Sequence, residues 1–172
     1  MKTKDFVFDK KYDNYFLFLD NEIVINNVFY KRLKSFSSKN NGTELVVDLI
    51  NLRENTLYKG RNIFKVPNSS PHTLEILSHE FIDEKKTYED MLFEFLIYDN
   101  TNEWAIYCHI GNDYGIGGCS DLLYNSFIEE LNPYKNISFE GKIKEIEESF
   151  IDESKKDKFI SNLLSTYNFK LK

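Results

Sequence analysis

The chain has 172 residues, of which 41% are hydrophobic and 16% aromatic, enough to close a packed core and to argue against wholesale disorder. Two cysteines are too few for a disulfide-stapled scaffold, and the net charge of −6 opposes binding to a phosphate backbone. The longest apolar runs, Tyr15–Leu19 and Phe93–Tyr98, fall far short of the roughly 20 residues that a membrane helix needs.

The start, Met1-Lys-Thr-Lys-Asp5, has no apolar stretch after it, so no secretory leader is expected. Phe6–Phe8 and Tyr15–Leu19 read as short aromatic strands, with a turn at Asp20-Asn21 and a further short strand at Glu22–Asn26. Val28, Phe29, Leu33 and Phe36 are spaced as on one face of a helix. A loop over Ser37–Gly42 then leads to strands at Leu45–Ile50 and Asn62–Val66, the second closed by Pro67-Asn-Ser69. Ser70-Pro71 is a helix start, with Leu74, Leu77 and Phe81 on the following stripe, and Thr87–Asp90 matches a capping box.

Residues 92–119 read as an antiparallel meander. Phe93–Tyr98 and Glu103–Ile110 are joined by the turn-rich Asp99-Asn-Thr-Asn102, and Ile116–Cys119 follows a second short loop. Within it, Trp104, Ile106, Cys108 and Ile110 share a face. Ser120 caps a helix over Asp121–Leu131, which carries Leu122, Leu123, Phe127, Ile128 and Leu131 and stops before Pro133. Helices are expected over Phe139–Phe150 and after Ser154-Lys-Lys-Asp157, a second capping box. The expected architecture is one α+β domain over residues 1–172: an antiparallel sheet with a central meander, packed by helices mostly from the C-terminal third.

Charge is segregated along the chain. Residues 1–65 carry +4, residues 66–134 carry −11 and residues 135–172 carry +1. Carboxylates are rarely buried unpaired, so the middle segment is expected to project an acidic surface. Such a surface keeps a protein in solution, and it also steers basic partners. The residues nominated for it are Asp83, Glu84, Glu89, Asp90, Asp99, Glu103 and Asp113. Tyr98 and Tyr114 are nominated as aromatic anchors, because tyrosine supplies contact area at little entropic cost.

Catalytic and metal chemistries find weaker support. A hairpin centred between Asp113 and Tyr114 would set Cys108 opposite Cys119, with His109 on the other face. Structural zinc needs four ligands in paired motifs, however, and two buried core cysteines are the simpler account. His72 and His79 are seven apart and read as helix-surface residues. Gly115-Ile-Gly-Gly-Cys-Ser120 lacks the spacing of a dinucleotide or phosphate loop and reads as a tight strand-to-helix turn. The acidic doublets Asp83/Glu84, Glu89/Asp90, Glu129/Glu130, Glu147/Glu148 and Asp152/Glu153 would diverge by about 100° on a helix, which suits solvent better than a catalytic cleft. No cofactor is expected.

Phe93–Gly118, with Tyr98-Asp99, Trp104, Tyr107 and Ile116-Gly-Gly118, resembles immunity proteins of bacterial polymorphic-toxin and contact-dependent growth inhibition systems. The resemblance implies a small, acidic, cytoplasmic α+β protein without an active site. Its partner would be a cognate toxin domain, often a basic nuclease, with no direct contact to nucleic acid or membrane. It assigns no functional residue. The alternatives are a small enzyme using Cys108/His109 or the Gly-rich turn, and an adaptor that dimerises through a strand edge. Monomer and homodimer both stay open.

Overall fold

The computed structural model describes residues 8, 10–18, 27–50, 62–71, 94–109, 114–131, 144, 148 and 153–167. Among them, six strands form one antiparallel sheet and three helices pack on it, an α+β arrangement. The strands are β1 (Asn14–Phe18), β2 (Glu44–Leu49), β3 (Ile63–Pro67), β4 (Glu94–Asp99), β5 (Trp104–His109) and β6 (Tyr114–Cys119). The helices are α1 (Asn27–Lys39), α2 (Tyr124–Leu131) and α3 (Glu153–Thr166). The order across the sheet is β1-β6-β5-β4-β2-β3, so the β4-β5-β6 meander lies at its centre.

Both faces of the sheet are covered. On one, Phe29, Tyr30, Leu33 and Phe36 of α1 and Phe127 of α2 pack on Leu45, Val47, Phe95, Ile97, Trp104 and Ile106. On the other, Phe159, Ile160 and Leu163 of α3, with Phe8, Tyr12 and Tyr167, pack on Leu96, Ala105, Tyr107 and Ile116. All six β5 residues are buried, because a strand covered on both sides must be apolar throughout rather than alternating. At the edge, β3 does alternate: Phe64 and Val66 are buried, while Ile63, Lys65 and Pro67 are exposed.

The most consequential departure from expectation is Asp99. It is fully buried, so it cannot belong to an acidic surface. No cation neutralises it among the described residues; hydrogen-bond donors surround it instead. Trp104 Nε1 (2.9 Å) and Ser37 Oγ (2.8 Å) donate to Oδ2, and Thr101 N (2.9 Å) and Oγ1 donate to Oδ1. The Thr101 contact is an Asx turn that shapes the β4–β5 connection, which Asn102 completes with a left-handed φ of 62°. Ser37 Oγ in turn accepts from Asn68 Nδ2 (3.0 Å), which also donates to the Gly42 carbonyl (3.0 Å). One carboxylate thereby ties together α1, the β4–β5 turn, β5 and the segment after β3.

The end of α1 is shaped to admit this network. Gly42 N donates to Ser37 O (2.8 Å) and Asn41 takes a φ of 67°, so the helix closes in a Schellman-type turn with asparagine in the left-handed position. Gly42 must lack a side chain, because a Cβ there would strike Ser37 Oγ and Asp99 Oδ2. The helix runs to Lys39, past the expected loop start at Ser37.

Two further observations concern β6. Ile116–Cys119 is the third meander strand, as expected, and the tight strand-to-helix turn read into its glycines is absent. Phe16 lies opposite Gly117 with its ring where a Cβ would project, and the Tyr12 ring covers Gly118 in the same way on the other face. The glycines therefore make room for aromatic rings rather than for a tight bend. The β5–β6 register pairs Cys108 with Gly115 and Trp104 with Cys119, not Cys108 with Cys119. The register is thus shifted by four residues from the expected pairing, with Cys108 opposite Gly115 where Cys119 was expected. Leu122 precedes α2, which begins at Tyr124, and it is 94% exposed instead of joining the apolar stripe. The Ser120 hydroxyl is buried without a partner and does not cap the helix; Asp13 Oδ2 accepts from Asp121 N (3.1 Å) at this turn. α3 begins at Glu153, which puts Ser154 inside it. The elements expected at 22–26, 72–81 and 87–90, and all but Lys144 and Glu148 of that expected at 139–150, lie outside the described residues.

Asp99→Ala removes the acceptor of a buried indole N–H and of two hydroxyls, and should cost about 3 kcal/mol, read as a lowered urea midpoint. Gly117→Val should cost about 2 kcal/mol by displacing the Phe16 ring, with the far-UV spectrum retained.

Candidate protein-docking surface

Of the nominated site residues, the side chains of Tyr98, Asp99 and Glu103 are described, and these three do not share one exposed surface. Asp83, Glu84, Glu89, Asp90 and Asp113 lie outside the described residues, and Tyr114 is described only as backbone of β6. Tyr98 is half-buried and packs against the α3-side core. Asp99 is internal. Glu103 is exposed and lies 3.6 Å from Lys10, a lysine from the N-terminal segment. Other described acids are also engaged: Glu44 with Lys65 (3.0 Å), Glu130 with Arg32 (3.8 Å) and Glu94 with His109 (3.5 Å).

The thiol and imidazole groups do not form a reactive pair. Cys108 belongs to the core on the α1/α2 face, whereas His109, the next residue of the same strand, projects to the opposite face beside Tyr107. Cys119 shares the Cys108 face but lies four strand positions away, roughly 13 Å. Both sulfurs are buried free thiols. Burial pushes Cys108 far up, and burial with the nearby Asp121 and Asp13 charges pushes Cys119 up to about 12, which opposes thiolate chemistry.

What the structure does gather is a turn with an exposed apolar tip. Leu122 stands 94% exposed between Asp121 and Leu123, with Tyr124 39% exposed at the start of α2. Asp121 and Asp13 are exposed beside it. The turn is fastened on both sides. Asp121 N donates to Asp13 Oδ2, Asn14 Nδ2 donates to Asp121 Oδ1 (2.7 Å), and Leu123 N donates to Ser120 O (3.1 Å). Beneath it, Phe127 is fully buried against Phe16, Phe36 and Trp104, with ring centroids 5.3–5.4 Å apart. The sequence held a signal for this. Leu123 and Phe127 are one helical turn apart, which leaves Leu122 off the buried stripe.

Comparison with protein-family models, curated proteins and solved structures finds no match for this chain. Among the described residues, no helix is long and apolar enough to cross a membrane.

His109 is 5% exposed, and desolvation holds its imidazole below the usual histidine range, with Glu94 partly opposing. A neutral buried histidine contributes stability at pH above about 6.5 that is lost as pH falls through its depressed folded value. Urea unfolding at pH 7.5, 6.5 and 5.5 should show a shallower acid loss for His109→Gln than for the parent, the difference being at most about 1.4 kcal/mol per pH unit.

Proposed function

We propose that this chain is a non-catalytic, cytoplasmic protein of the immunity type, which binds a cognate bacterial toxin domain and blocks it by surface complementarity. The observation that carries the reading is Leu122, a large apolar side chain almost wholly in water on a turn that hydrogen bonds hold in place. An exposed leucine is unremarkable alone. Here it stands on a pre-ordered turn flanked by two carboxylates and a tyrosine, which are the parts of a docking anchor: apolar area to bury, charge to orient a basic partner, and little ordering cost. Burial of one leucine supplies roughly 1.5–3 kcal/mol.

The interface is therefore assigned to Leu122, Tyr124, Asp121 and Asp13, with Glu103 at its margin. The resemblance of Phe93–Gly118 to immunity proteins supplies the class of partner, and the acid excess of residues 66–134 fits a basic toxin domain. The enzyme alternative built on Cys108/His109 lacks a geometry, since the two side chains leave the sheet on opposite faces. Dimerisation through β3 is disfavoured by Lys65 and Pro67, which blunt that edge.

The test is growth protection and binding with the toxic C-terminal domain of a large secreted protein encoded upstream. Leu122→Glu should leave stability within about 0.5 kcal/mol and weaken binding roughly 10–100-fold. Asp121→Lys should slow association and flatten its salt dependence. Undiminished protection and affinity in both variants would remove this surface from the reading.

A further inference from the structure

A second surface is built from opposite chemistry. α1 carries Lys31, Arg32, Lys34 and Lys39 and no acid. Between this helix and the segment after β3 lies an open cavity of about 580 Å³, lined by Asn27, Lys31, Lys34, Ser35, Ser38, Asn68, Ser70 and Pro71. Among the described residues, its lining holds two ammonium groups and three hydroxyls, and no carboxylate.

Lys34 makes the cavity unusual. It is 6% exposed, and its Nζ donates to the Ser70 carbonyl, with no carboxylate paired to it among the described residues. A buried ammonium ordinarily has a counter-charge, because desolvation otherwise costs several kcal/mol. Here burial, and after it the like charge of Lys31, pushes Lys34 below the usual lysine range. The site is held rather than accidental. Ser37, three residues on in the same helix, is fastened to Asp99, and Asn68 of the cavity wall is fastened to Ser37 and Gly42. The wall also contains an unmet acceptor, since Asn68 Oδ1 is buried without a donor.

We propose that this cavity binds a small phosphorylated molecule, with its phosphate between Lys31 and Lys34 and the rest of the molecule along Ser35, Ser38 and Asn68. Two ammonium groups and flanking hydroxyls match a dianion with three acceptor oxygens better than a single carboxylate. The volume lies within the range of small-molecule sites and exceeds what a bare phosphate fills, leaving room for a group the size of a sugar. The cavity does not involve the Leu122 turn, so its occupancy and the toxin-binding reading stand or fall separately.

The experiment titrates the intact chain at pH 7 with inorganic phosphate, glucose 6-phosphate and glucose, following heat of binding and amide NMR shifts. Both phosphates should bind, glucose 6-phosphate at least several-fold more tightly, with shifts at Ser35 and Ser38; glucose should not bind. Lys34→Met and Lys31→Gln should each weaken binding at least tenfold. Lys39→Gln, which removes the same charge from the exposed end of α1 outside the cavity, should change it less than twofold. Should Lys34→Met fail to fold, Lys31→Gln against Lys39→Gln carries the comparison. Absence of binding by either phosphate, or equal losses in the Lys31 and Lys39 variants, overturns the proposal. Equal affinity for inorganic phosphate and glucose 6-phosphate overturns its extension beyond the phosphate group.

Discussion

The arrangement depends on a buried carboxylate that no cation among the described residues neutralises. Asp99 is acceptable in the interior only because donors from three parts of the chain reach both of its oxygens at once. That requirement propagates. Ser37 must stand at the end of α1, Gly42 must be bare, Asn68 must return beneath the helix, and Trp104 must turn its indole N–H toward the β4–β5 turn. Hydrophobic burial would hold α1 against the sheet without specifying how far along it sits. The network at Asp99 sets that position, and with it the wall of the cavity that contains Lys34.

A second constraint works at the β1 edge. Where Phe16 and Tyr12 lay their rings over Gly117 and Gly118, the sheet trades side chains on β6 for aromatic surface from its neighbour. Phe16 then reaches Phe127, which links β1 to α2 and to Trp104. Leu122 thus sits in water on a turn whose following helix is fixed by a buried aromatic cluster. Asp121 and Asn14 fix the turn from the side.

The strands of the meander, β2 and the amphipathic stripe of α1 were legible because each is a local pattern: an apolar run bounded by turn residues, or a spacing of three and four. The α+β class followed from these. Misread features were those decided by residues far apart in sequence. Ile116–Cys119 reads as a strand, yet its Gly117 and Gly118 also suggest a tight turn until Phe16 and Tyr12 are placed across them, and the β5–β6 register shifts once Tyr114 and Gly115 are counted as strand. Asp99 looks like a surface acid because most aspartates are. Its one local hint was the Asx-turn sequence that leads into Trp104. Lys34 also had a hint, since it stands four residues after Tyr30 and next to Leu33 on the buried side of α1, but a lysine there reads as a stem lying along apolar surface.

Not every described acid contributes to the field that a partner would meet. Of the described carboxylates, Asp99 is consumed inside the protein, Glu44, Glu103 and Glu130 each face a lysine or arginine, and Glu94 faces the neutral imidazole of His109. Among the described residues, Asp13, Asp121, Glu129, Glu148 and Asp157 are exposed with no ion pair to another described residue, and two of these five flank Leu122. Net charge counts every acid equally, but a partner several ångströms away responds to those that no nearby cation cancels within a Debye length of about 8–10 Å. The turn that presents the apolar side chain thus carries two such carboxylates beside it. The cationic cavity on α1 has the converse property: no carboxylate among the described residues answers its charge. Docking and ligand chemistry are both to be sought where the protein leaves a charge unanswered, which a count along the sequence does not reveal.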